Sequence, residues 1–183
     1  MRSIDSVEGV FEVLAAGGGE AYFGEPVTVL EYSLQAAWFV QRKGGSEALI
    51  AAALLHDLGH LLHHEGEDAA ERGLDTRHEE LGAALLAGHL PEAVLEPIRM
   101  HVDAKRYLCA VDARYFATLS AASVQSLALQ GGPMTSEEMA AFLARPYAHD
   151  AITLRHADDA AKVADMKTPG LEVYKPLVDR LWH

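Results

Sequence analysis

Cysteine is almost missing from this chain: Cys109 is the only one in 183 residues. A single thiol excludes an intramolecular disulfide and any metal site built on several thiolates. Apolar runs of membrane-spanning length are missing too, although 50% of the residues are hydrophobic, so no transmembrane segment is expected. The amino-terminal stretch Met1 to Glu8 carries acids where a secretory signal has its apolar centre, and a cytoplasmic location is the expectation. Cations are scarce. Lys plus Arg number 15 against 27 Asp plus Glu, a formal charge of −12. Such a chain repels nucleic acid and anionic membrane, so neither is an expected partner. An anionic ligand would have to be met by local cations or by metal. Alternating strand patterns, internal repeats, low-complexity stretches and linkers are also missing. An all-α fold follows, with residues 1–183 as one domain.

What is present is helical periodicity almost throughout. Helices are predicted over Ser6 to Leu14, before the glycines 17–19, and over Val27 to Gln41, with Pro26 at the helix start. Gly44 and Gly45 break the second, and Ser46 is suited to cap a helix over Glu47 to Leu55. His63 to Gly73 reads as a polar loop. Further helices are expected over Arg77 to Gly88, from Pro91 toward Tyr107, over Leu119 to Gln130, at Met139 to Leu143 behind a Thr135–Glu138 start, over Asp150 to Met166 and over Leu171 to Trp182.

The segment Leu54-Leu55-His56-Asp57-Leu58-Gly59-His60 carries the chemistry. An imidazole and a carboxylate stand side by side in an apolar run, where burial without a partner costs several kcal/mol. A metal ion removes that penalty: His56 supplies a nitrogen and Asp57 two oxygens able to bridge two ions. Gly59 allows close backbone approach, and His60 lies one helical turn beyond His56, on the same face. A lone histidine would be read as a helix-end cap; His-Asp with a second histidine four residues on favours metal. His78, His101 and Asp158 are further candidate ligands on or near other helices. Singly, each has a bland explanation as a surface residue, a satisfied core histidine and a solvated face. Spacing alone does not join them.

The order His56-Asp57, His78, His101, Asp158 resembles the HD-domain superfamily of metal-dependent phosphohydrolases and oxygenases. Tyr22-Phe23-Gly24-Glu25, Val27 to Glu31 with Leu34-Gln35, Leu55 to His64, His101 to Lys105, Ser120 to Pro133 with its Leu-Gln-Gly-Gly-Pro, and Leu154-Arg155 with Asp158-Asp159 resemble one branch more closely. That branch is the mixed-valence diiron oxygenases that cleave the carbon–phosphorus bond of 2-amino-1-hydroxyethylphosphonate and its N-methylated relatives. The resemblance implies a helical HD-domain bundle and two iron ions, Fe2+ and Fe3+. Asp57 would bridge them, His56 and Asp158 would bind the first, and His78 and His101 the second. His60 would touch substrate. Lys105, Ser123 and Arg155 would hold the phosphonate, a suitable set for three anionic oxygens. Glu25 and Tyr22 would meet the substrate amine. Tyr32 departs from the pattern, standing where the branch has a histidine ligand to the first iron. Three readings stay open, the second favoured: phenolate ligation, a weakened first site completed by water, and a site that has drifted in substrate or lost activity.

The reaction so implied consumes dioxygen and turns a small 1-hydroxy-2-aminoalkylphosphonate into phosphate and a carboxylate. A divalent-metal phosphohydrolase needs the same ligands without the Tyr22–Glu25 loop and is the alternative; a phosphonate-sensing protein with an impaired metal site is the third reading.

Overall fold

The computed structural model describes residues 4–22, 24–62 and 72–183. Among these it contains ten α-helices, one 3-10 turn at Leu58–Leu61 and no β-strand. The helices are α1 Val7–Gly17, α2 Val29–Arg42, α3 Glu47–Leu55, α4 His78–Leu86, α5 Glu92–Val111, α6 Ala113–Phe116, α7 Ala121–Leu129, α8 Ser136–Leu143, α9 Ala148–Ala160 and α10 Leu171–Leu181. The all-α expectation holds among the described residues. Most of the expected loop His63 to Gly73 lies outside them.

Local chemistry sets the helix starts. The hydroxyl oxygens of Ser6, Ser46 and Ser120 accept from backbone N–H groups one turn on. Thr28 with Glu31, and Thr135 with Glu138, form reciprocal capping boxes. Each such cap stabilises its helix by about 1 kcal/mol. Thr28 therefore opens α2, and Pro26 lies two residues before the cap instead of at the first helical position. Helix α9 stops at Ala160, short of the expected Met166. The reason is a tertiary bond pair: the buried amide of Gln35 donates to the carbonyl of Val163 (2.8 Å) and accepts from its N–H (3.0 Å), pinning that segment to α2. Helix α3 likewise ends at Leu55, and the chain passes through His56 and Asp57 into the 3-10 turn. His56 and His60 are thus not on one helical face, as their spacing suggested.

Helix α5 is the central strut. It packs most extensively on α9 and also on α3 and α4, while α2 lies against α3 and α9. The main core gathers Leu14, Tyr32, Leu54, Leu55, Leu86, Ile98 and Leu154, all at most 1% exposed. A second apolar cluster, Met100, Ala104, Met134, Phe142, Ala148 and Ala151, fills the other side of α5 against α8 and α9. One face of α5 is left to carry His101 and Lys105 between α4, α7 and α9.

Candidate metal centre

The junction after α3 is positioned by a glycine. A Cβ on Gly59 would lie 2.0 Å from the backbone oxygen of His78 and 2.8 Å from its carbonyl carbon. Only glycine lets the 3-10 turn press against the start of α4. That contact delivers His78 to Asp57, and the burial of His56, Asp57, His101 and Asp158 completes the assembly at no more than 3% exposure each. His60 stacks on His78 with ring centroids 3.8 Å apart.

Asp57 Oδ1 lies 3.3 Å from His78 Nε2 and 3.7 Å from Nε2 of both His56 and His101. His78 Nε2 and His101 Nε2 are 3.1 Å apart. His101 Nδ1 donates to the carbonyl of Ile98 (2.7 Å), so its Nε2 presents a lone pair toward the other imidazole. Metal–ligand bonds of about 2.0–2.2 Å place two adjacent ligand atoms roughly 3 Å apart. The spacing is that of ligands around one cation, and these three side chains form a cluster able to hold one.

Beside this cluster lie His56, Tyr32 and Asp158. His56 Nδ1 donates to the carbonyl of Ala53 (2.9 Å), turning Nε2 toward the hydroxyl of Tyr32 at 3.0 Å. The same hydroxyl donates to Asp158 Oδ1. A phenol has one proton, and here a nitrogen lone pair and a carboxylate oxygen both face it; a cation among the three resolves that conflict. Tyr22 stacks on Tyr32, with centroids 3.9 Å apart, and its hydroxyl donates to Asp57 Oδ2 at 2.7 Å.

The electrostatics suit cation binding. Burial opposes the charge on Asp57, but His56, His60 and His78 hold its carboxyl well below the usual range. Burial, reinforced by His78 and His56, depresses His101 to about 3, which keeps it a neutral ligand-ready imidazole. Burial also opposes the charge on Asp158, yet Arg155 and His56 hold it at about 2.

A cavity of about 110 Å³ opens onto this centre, lined among others by Tyr22, Glu25, His60, Lys105, Ser123 and Arg155. The expected substrate contacts are therefore brought together, but Arg155, Glu25 and Lys105, like Tyr22, have partners inside the protein. Arg155 pairs with Asp158 Oδ2 at 2.7 Å and with Asp159, and its Nε donates to the hydroxyl of Tyr115 at 3.1 Å. Glu25 lies 3.5 Å from Lys162. Lys105 is buried, donates to Ser126 Oγ at 2.8 Å, and is pushed down to about 7, chiefly by burial and then by the charge of Arg155.

Four participants went unread in the sequence. Glu79, whose buried carboxylate oxygen lies 3.5 Å from His78 Nδ1 without a hydrogen bond to it, adds negative charge behind the cluster. Its signal was adjacency to His78. Ser126 falls inside the stretch Ser120 to Pro133 and Lys162 closes the one around Asp158, but nothing local singles out either or Tyr115, because only the packing of α6, α7 and the segment after α9 aims them inward.

The HD domain family profile matches residues 26–161. A [1-hydroxy-2-(trimethylamino)ethyl]phosphonate dioxygenase (glycine-betaine-forming) of Leisingera caerulea is 42% identical over 178 residues, covering 97% of this chain and 89% of the relative. A hydroxymethylphosphonate dioxygenase of Gimesia maris is 44% identical over 176 residues, covering 96% and 87%. An uncharacterized protein of Acanthamoeba polyphaga mimivirus is 32% identical over 177 residues, covering 96% and 81%. A profile match over most of the chain, around the His-Asp pair and the candidate ligands gathered about it, places this protein in the HD-domain family.

Proposed function

We propose that this protein is a diiron oxygenase that cleaves the carbon–phosphorus bond of a small 1-hydroxyalkylphosphonate. The observation that carries the reading is the Asp57, His78 and His101 cluster, with His56, Tyr32 and Asp158 beside it, opening on a cavity lined by cations. The two dioxygenase relatives support the same reaction class. Asp57, His78 and His101 would hold one iron, and His56, Asp158 and Tyr32, which lie beside Asp57, would hold the other. Two iron ions, when bound, supply the redox chemistry and the site for dioxygen. Per turnover, one phosphonate and one dioxygen become one carboxylate, one phosphate and one proton.

The protein's own groups bind, orient and screen. Lys105 meets the phosphonate oxygens beside Ser123, with Arg155 behind them holding Asp158 and adding positive charge. His60, stacked on His78, faces the substrate side of the cavity. Tyr22 covers the centre and limits entry of bulk water. Its loop is shaped by a bond from the Glu25 N–H to the Tyr22 carbonyl (2.7 Å) and by Gly24 at φ +73, a left-handed position suited to glycine.

Iron-loaded protein should release phosphate from hydroxymethylphosphonate or a near homologue in air and not under strict anaerobiosis. Equal release in both atmospheres would overturn the oxygenase in favour of a phosphohydrolase. No release in either, at full iron occupancy and across such substrates, would point to the sensor.

A further inference from the structure

Lys162 ends the stretch Leu154 to Lys162 that carries Arg155 and Asp158, with no role expected of it, and it lines the same cavity as Glu25, Asp57 and Lys105. Its Nζ is 3.5 Å from Glu25 Oε1 and 3.4 Å from Ser120 Oγ, to which it donates. The Lys162 and Glu25 side chains are only 15% and 17% exposed. The backbone fixes both. Val163, the next residue, is held through its N–H and carbonyl by the buried amide of Gln35, and the N–H of Ala161 donates to the carbonyl of Asp158 at 3.0 Å. Glu25 is held by its N–H bond to Tyr22. This pair is positioned from two sides, unlike two long side chains meeting on open surface.

We propose that Lys162 fills the cationic position opposite Glu25 that a substrate ammonium would otherwise take, and so selects 1-hydroxyalkylphosphonates whose carbon tail is uncharged. The proposal rests on the phosphonate reading above and names the substrate class of that site. A ligand ammonium entering here would lose hydration, find Glu25 already neutralised and face the like charge of Lys162. An uncharged tail meets none of these penalties, while Lys105 remains for the phosphonate. Selection is by exclusion of the charged competitor.

The test is binding, kept separate from turnover. Metal-loaded protein under anaerobic conditions is titrated calorimetrically with hydroxymethylphosphonate and with 2-amino-1-hydroxyethylphosphonate. The wild type should bind the first at least tenfold more tightly. Lys162→Met should shift the ratio tenfold or more toward the amine, and Lys162→Arg, which keeps the charge, should retain the wild-type preference. Tighter binding of the amine by the wild type, or a ratio unmoved in Lys162→Met, overturns the proposal. Binding of neither ligand overturns the phosphonate reading with it. Loss of oxygen-dependent phosphate release with the binding ratio intact overturns the oxygenase alone.

Discussion

Tyr32 Oη sits at ligand spacing from His56 Nε2 and against Asp158, with no exposure to solvent. In the absence of a cation, burial and the charge of Asp158 both hold the phenol protonated. Ligation to ferric iron reverses that balance, so the iron-loaded protein should be coloured by a phenolate-to-iron absorption band. Tyr32→Phe should lose the band and fall from two irons per chain toward one; Tyr32→His should lose the band and keep both irons, since imidazole is a good neutral ligand. A band that survives Tyr32→Phe would remove Tyr32 from the metal. Lys105 gives a pH prediction. Held at about 7, it is charged below that value and neutral above it. A phosphonate selects the charged form, so affinity is full below pH 7 and falls by up to tenfold per unit above, with a proton taken up on binding. Lys105→Arg should flatten the profile, because guanidinium stays charged; calorimetry in buffers of different ionisation enthalpy reads both, and a flat wild-type profile would exclude Lys105 as a contact. At this scale the sequence announces residues whose type is costly to bury, such as His56, Asp57 and His101. It is silent on Lys162 and Tyr115, ordinary surface types whose direction is set by distant packing.

Among the elements, the contact of the 3-10 turn with α4 is the most constrained. In Gly59→Ala the new methyl meets the backbone of His78, which has no rotamer by which to yield. The expected cost is about 1–3 kcal/mol together with a loss of bound metal, since His78 is carried away from Asp57. Gly19→Ala, with no atom within 4 Å of its Cβ, is the control and should stay within about 0.5 kcal/mol of wild type. Denaturant midpoints and metal counts read the pair; an unchanged metal content in Gly59→Ala would show that α4 can shift without losing the site. The close approach at Gly59 was legible, because a glycine beside two ligands has few other uses. Helix starts at Ser46, Pro91 and Thr135 were legible for the same kind of reason, local capping and backbone chemistry. The end of α9 was not, because it is decided by Gln35, more than a hundred residues earlier.

For the molecule as a whole, the centre concentrates buried carboxylates and imidazoles inside a chain of net charge −12. Ions bound there stabilise the folded state by mass action, about 2.7 kcal/mol at a free concentration one hundred times Kd. For a chain of this length that corresponds to roughly 5–10 °C in Tm. Chelation should lower the calorimetric transition by about that amount, with recovery on adding iron; an identical transition after chelation would mean that the centre holds no ion. No described helix is long and apolar enough to cross a membrane, in keeping with the sequence. The position of the ligands along the chain divides the centre unevenly. Asp57, His78 and His101 lie within residues 57–101 on neighbouring elements, whereas the other group brings together Tyr32 and Asp158 across 126 positions. The first group is local; the second exists only where α9 is docked, because Asp158 stands on it. Local opening of α9 would therefore break up one half of the centre and leave the other half assembled.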